Sequence, residues 1–116
     1  MMSMQEKQVL NNEVMFNLIG DDQPMAKKFK IEFLKQAKES LAEITAHFNQ
    51  QQFSGINEVA HFLKTSAKAV GAEITAEHLQ LLEQFALDQD LSNCKKEILS
   101  IHQAVKQVYE VVRHDG

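Results

Sequence analysis

The segment Glu58-Val59-Ala60-His61-Phe62-Leu63-Lys64-Thr65-Ser66-Ala67-Lys68-Ala69-Val70-Gly71-Ala72 places one imidazole ahead of two ammonium groups, three and seven positions later. On a helix, residues three, four and seven apart stack along one face, so His61, Lys64, Thr65 and Lys68 are predicted to share a flank. At about 100° per residue, Val59, Phe62, Leu63, Ser66, Ala69 and Val70 gather in another arc, predicted to be the buried one. His61 then points to solvent. An exposed imidazole nitrogen is a nucleophile near neutral pH, and its phosphorylation gives a high-energy phosphoramidate. Phosphoryl transfer needs in-line placement and cations that offset charge on the oxygens; Lys64 and Lys68 are the mobile cations expected to supply it. The spacing alone favours a plainer reading, a solvated face that happens to carry one His and two Lys.

The elements that would hold this flank are all helical. Apolar residues recur at helical spacing along nearly the whole chain, and no stretch alternates convincingly with period two. Residues 9–19 read as a short helix stopped by Gly20. Asp21 and Asp22 precede Pro24, acidic capping followed by a first-turn proline, and start a second helix reaching about Gln50 with Leu34, Ala37, Leu41, Ile44 and Phe48 inward. Ser54 is the expected cap of a third helix, residues 54–70, ending at Gly71, where freedom to adopt positive φ stops a helix at least cost. A fourth is expected from about Thr75, with Leu79, Leu82 and Ala86 on one face. Leu91, Cys94, Ile98, Ile101, Val105, Val108 and Val112 alternate by three and four along the last helix, the seam of a bundle packed at shallow crossing angles. The fold expected is all-α: an up-and-down antiparallel four-helix bundle with an additional short N-terminal helix. A coiled-coil dimer through the last helix is disfavoured by the breaks at Gly20, Gly71 and Asp88–Asp90.

With 116 residues the chain can enclose one core, so one domain spanning 1–116 is expected, its first eight residues, with Met1, Met2 and Met4, forming a disordered start. The net charge of −4 argues against a nucleic-acid binder. Cys94 is the lone cysteine, read as a core filler, which fits a reducing compartment. No secretory pattern opens the chain and no apolar run approaches bilayer-spanning length, so a cytoplasmic protein is expected. His47, His78 and His102 fall near the edges of apolar faces and His114 near the end. None has convincing metal-ligand spacing. The lysines at 27, 28, 30, 35 and 38 read as a solvated face of the second helix, with docking of a partner the alternative.

The motif Ala60-His61-Phe62-Leu63-Lys64-Thr65-Ser66-Ala67, followed by Gly71-Ala72 and Leu82-Glu83, resembles the active-site pattern of the histidine-phosphotransfer (HPt) domain family. Val9-Leu10-Asn11, Gly20-Asp21-Asp22 and Phe33-Leu34 fit the family's layout, so the likeness covers essentially the whole chain. The resemblance implies a phosphocarrier without autokinase activity or nucleotide binding, relaying phosphoryl groups between receiver-domain aspartates. His61 is then the phospho-acceptor, Lys64 the residue that steadies the phosphoryl oxygens, and Lys68 an electrostatic helper. The implied partners are response-regulator receiver domains and a hybrid sensor histidine kinase. The implied carrier is a monomer with no cofactor of its own, the magnesium ion being expected in the partner receiver domain. Thr65, Phe62 and Asn57 are the residues expected to face the partner, and Gly71 is structural. Two positions depart from the family. Thr65 stands where a glycine is usual, adding bulk one turn from the imidazole and a hydroxyl able to donate to phosphate. Phe62 replaces a position that is often small and polar, and is either packing or part of an apolar docking surface. A bundle adaptor that binds regulators or kinases without being phosphorylated is the alternative. An autokinase is disfavoured, because no glycine-rich nucleotide motif is present.

Overall fold

The computed structural model describes residues 6–114, and all regular structure among them is helical. Five helices follow in order: α1 Asn12–Ile19, α2 Gln23–Asn49, α3 Phe53–Val70, α4 Glu73–Leu87 and α5 Leu91–His114. The links between α2, α3, α4 and α5 are two or three residues long, too short for anything but chain reversal. Helices α2 to α5 therefore run up and down and close a ring in which α2 meets α3 and α5, and α4 meets α3 and α5. Helix α1 lies across α2 and α3. This is the expected four-helix bundle with a short N-terminal helix.

One apolar cluster fills the ring, with Phe33, Ala37 and Ile44 from α2, Ile56, Ala60, Leu63 and Ala67 from α3, Leu79 and Leu82 from α4, and Cys94, Ile101 and Val108 from α5. The expected α5 seam is buried except that Leu91 and Val105 are half-exposed. Cys94 is fully enclosed, and burial pushes its thiol up to about 11. At neutral pH it is an inert core filler.

Helix boundaries follow local chemistry, with three differences from expectation. Asp22 caps α2 by accepting from the Met25 amide at 3.0 Å, with Pro24 in the first turn as expected. Helix α1 begins at Asn12 rather than near Val9, because the Asn11 side chain accepts from the Glu13 amide at 3.1 Å and caps it there. Ser54 is not the cap of α3. The helix starts one residue earlier, at Phe53, and the capping position, Gln52, makes no side-chain cap bond. Helix α4 starts at Glu73, two residues before Thr75.

The early start of α4 has a cause in the residues before α1, which form a strap across the α3–α4 turn. The Gln8 amide donates to Glu73 Oε1 at 3.0 Å, and the Gln8 carbonyl accepts from Ile74 N–H at 3.1 Å. Asn11 donates its backbone N–H to the Gly71 carbonyl at 2.8 Å and its side-chain amide to Glu73 Oε2 at 2.9 Å. These bonds satisfy first-turn groups of α4 that would otherwise be orphaned. The disordered start expected over residues 1–8 lies outside the described residues as far as position 5, and at Gln8 the expectation is corrected, because its backbone is bonded to Glu73 and Ile74. Gly71 ends α3 with φ 80°, its N–H reaching the Lys68 carbonyl while Ala72 N–H reaches Ala67. This left-handed cap is the one expected of that glycine.

Candidate functional site

Helix α3 carries the candidate residues, and its buried stripe is set by Ile56, Ala60, Leu63, Lys64, Ala67 and Val70. The stripe is rotated by a little under one residue from the arc expected of the apolar residues. Val59 and Ser66 lie at its margin, while Phe62, 56% exposed, and Ala69 stand outside it. The cause is a three-sided environment: α3 packs on α2, α4 and α1, and the small Ala60 and Ala67, both fully buried, mark its inward line.

His61 remains on the outer side, with two thirds of its side chain exposed. Its Nδ1 lies 3.2 Å from Glu83 Oε1 of α4. With a carboxylate as the partner, this contact suits the tautomer that carries its hydrogen on Nδ1, which leaves the Nε2 lone pair available. The arrangement is that of a histidine whose tautomer and ring plane are set by a neighbouring acid.

Lys64 corrects the expectation of a mobile surface cation. The rotated stripe brings it under the α3–α4 contact, where it is 9% exposed. Its ammonium donates to Gln80 Oε1 at 2.7 Å and stands 2.8 Å from Glu83 Oε2. The latter contact is ionic and poorly aligned, since Oε2 is buried without a well-angled donor. One carboxylate thus spans the site, with His61 on one oxygen and Lys64 on the other. Lys68, two turns beyond His61, is exposed beside a groove lined also by Lys7, Glu73, Glu77 and Gln80.

The Thr65 hydroxyl donates to the His61 carbonyl at 3.2 Å, so it is turned along its own helix rather than outward. Asn57 is half-buried, and its amide donates to the Glu83 carbonyl at 3.0 Å, tying α3 to the turn of α4 that carries the acid. Phe62 borders a shallow depression with Gln36, Glu39, Glu43 and Glu58. Among the other histidines, His47 Nδ1 meets Gln52 Oε1 at 2.8 Å and His78 Nδ1 meets the buried Glu97 at 2.7 Å. His102 is exposed and His114 lies 3.7 Å from Glu110. No group of three His, Cys, Asp or Glu suited to a metal occurs among the described residues.

Sequence reasoning noted Glu83 only as part of a motif and assigned it no task, and it passed over Gln80. A helical wheel of α3 carries no information about α4. The available signal was the acid's place in the Leu82-Glu83 pair, one turn beyond the buried Leu79.

Among the described residues, the helical bundle presents on its flank a solvent-facing histidine held by an acid of the neighbouring helix. The profile of the Hpt domain matches residues 28–112, and the chain belongs to that family, the histidine phosphotransfer proteins of two-component signalling. Its fold is similar to that of histidine-containing phosphotransfer protein B (HptB) from Pseudomonas aeruginosa PAO1, with a TM-score of 0.86 at 17% identity, covering 95% of this chain and 96% of that one. No curated protein matches the sequence. Family members are phosphocarriers that interact with receiver domains and kinases. No helix among the described residues is long and apolar enough to cross a membrane.

Proposed function

We propose that this chain, acting as one domain in the cytoplasm, relays a phosphoryl group between receiver-domain aspartates through His61, in a single-site, monomeric carrier. The observation that carries the reading is the exposed His61 ring with Nδ1 committed to Glu83 at 3.2 Å and Nε2 left open. In the forward step Nε2 attacks phosphorus of the receiver's aspartyl phosphate, the N–P bond forms, and the P–O bond breaks as the aspartate carboxylate leaves. The ring keeps its Nδ1 hydrogen and becomes positively charged, which Glu83 offsets from the opposite side. A second receiver reverses the step. The magnesium ion belongs to the receiver, where it neutralises phosphoryl oxygens.

Lys64 supplies positive charge at the site, its ammonium placed one carboxylate away from the imidazole. Lys68 adds a longer-range positive field, screened by solvent. Phe62 and Thr65 are exposed next to His61 and meet the docking partner, Phe62 offering apolar area. Asn57 acts there through Glu83, whose turn its amide holds. Gly71 keeps the end of the helix in place. The protein binds no nucleotide and has no autokinase activity.

The test is to incubate the protein with a phosphorylated receiver domain and separately with ATP alone. Acid-labile, alkali-stable label from the receiver, and none from ATP, is expected. Receiver binding without label would leave the adaptor reading in its place, and label from ATP would contradict the carrier.

A further inference from the structure

The Lys64 ammonium is held by α4 rather than left free beside the imidazole. Nδ1 and Nε2 lie on opposite flanks of the ring, and Glu83, which receives Nδ1, is the group against which Lys64 rests. In the unphosphorylated protein the ammonium is thus engaged by two side chains of α4, Gln80 and Glu83. Lys64 must shed part of its present shell to reach phosphoryl oxygens, and its shortest bond, 2.7 Å, is to Gln80 Oε1.

We propose that Gln80 is a positioning residue that retracts Lys64 in the unphosphorylated protein and sets how readily the ammonium swings to the phosphoryl group. The inference rests on the reading of His61 and Lys64 given above. Three observations support it. Gln80 is exposed on α4 while its partner is buried, so the amide acts as a clip laid over a lysine head whose stem is already fixed by packing. The Gln80 bond is the shorter of the ammonium's two side-chain contacts and the well-aligned one, since Glu83 Oε2 lacks a well-angled donor, so it fixes where Nζ rests. Gln80 also borders the open groove that holds Lys68, leaving its side chain room to turn away when the ammonium leaves.

Gln80→Met keeps the length of the side chain and removes the acceptor. Gln80→Glu keeps the shape and adds a charge that grips the ammonium harder. Position 80 faces solvent, so the fold is expected to stand in both variants, with circular dichroism as the check. The probe is phosphoramidate, whose P–N bond breaks as ammonia departs and the new N–P bond to His61 forms; no receiver is needed. Expected is phosphorylation about two- to five-fold faster for Gln80→Met and slower by a similar factor for Gln80→Glu. The nitrogen-15 resonance of Lys64 Nζ should lose protection from solvent exchange in Gln80→Met, and in wild type on phosphorylation.

Rates and Lys64 resonances unchanged in both variants would overturn the role of Gln80. A Lys64→Met variant separates this from failure of the underlying reading. If Lys64→Met phosphorylates at the wild-type rate, Lys64 has no part in the chemistry and both ideas fall. If it is slowed while the Gln80 variants are not, only the clip is lost.

Discussion

Replacing Lys64 with methionine removes an ammonium that sits between two groups of α4 and leaves the Glu83 carboxylate, 13% exposed, without its charge partner. Two effects should separate in measurement. Stability falls by about 1–3 kcal/mol, the cost of a largely buried acid losing its cation, readable as a lower urea midpoint at unchanged slope. Transfer slows by roughly five- to 150-fold, the range covered by losing one charge-assisted contact of about 1–3 kcal/mol. An unchanged transfer rate would remove Lys64 from the mechanism while leaving its structural part intact. The histidine and its exposure were legible from spacing, because offsets of three, four and seven depend only on helical geometry. The burial of Lys64 was not. A wheel weighted by apolar size is drawn toward Phe62, whereas the inward line is set by Ala60 and Ala67, residues whose smallness matters only once neighbouring helices are known.

The α3–α4 turn shows how elements constrain the site. Gly71 has φ 80°, and a Cβ built there would stand 2.3 Å from the Asn11 carbonyl oxygen, a backbone atom held by the strap. Gly71→Ala therefore meets both a strained conformation and an unyielding neighbour. A loss of more than about 1 kcal/mol is expected, with reduced amide protection in residues 8–11 and at the start of α4. Stability within a few tenths of wild type would show that the strap adapts. The same strap carries a pH dependence. Hydrogen bonds from Asn11 and then Gln8, with a smaller contribution from Lys7, hold the Glu73 carboxyl below its ordinary range. A carboxyl whose folded value is depressed stabilises the fold above its unfolded value, and that stability is lost as pH falls through the folded one. Glu73→Gln should therefore be less stable than wild type at neutral pH and converge with it in acid; a constant difference across pH would contradict this. Gly71 was readable as a helix end from residue type alone. The strap was not, since its bonds join residues 62 and 65 positions apart and no local pattern announces them.

At the level of the whole molecule, the bundle separates scaffold from surface. Most of the α5 seam, the inward residues of α4, and Ala37, Leu41 and Ile44 of α2 were evident in the sequence because a closed ring of antiparallel helices demands an apolar line on each member; on α2 Phe33 is buried where Leu34 was expected, and Leu34 and Phe48 are half-buried. The long α5 and its neighbours supply a rigid body. His61 projects from its flank on α3, with its orienting acid supplied across the helix pair by α4. That division predicts that chemistry at His61 can be removed without disturbing the fold. His61→Gln should keep wild-type helicity and cooperative unfolding, since the side chain it replaces is two thirds exposed.

The central claim is most directly tested by phosphorylating nitrogen-15-labelled protein from a receiver domain and assigning the modified atom by the imidazole nitrogen shifts. The account predicts a single phosphoramidate at Nε2 of His61, with Nδ1 still protonated against Glu83, and no stable label on His61→Gln. Label that persists on that variant, or that sits on His47, His78, His102 or His114, would contradict it.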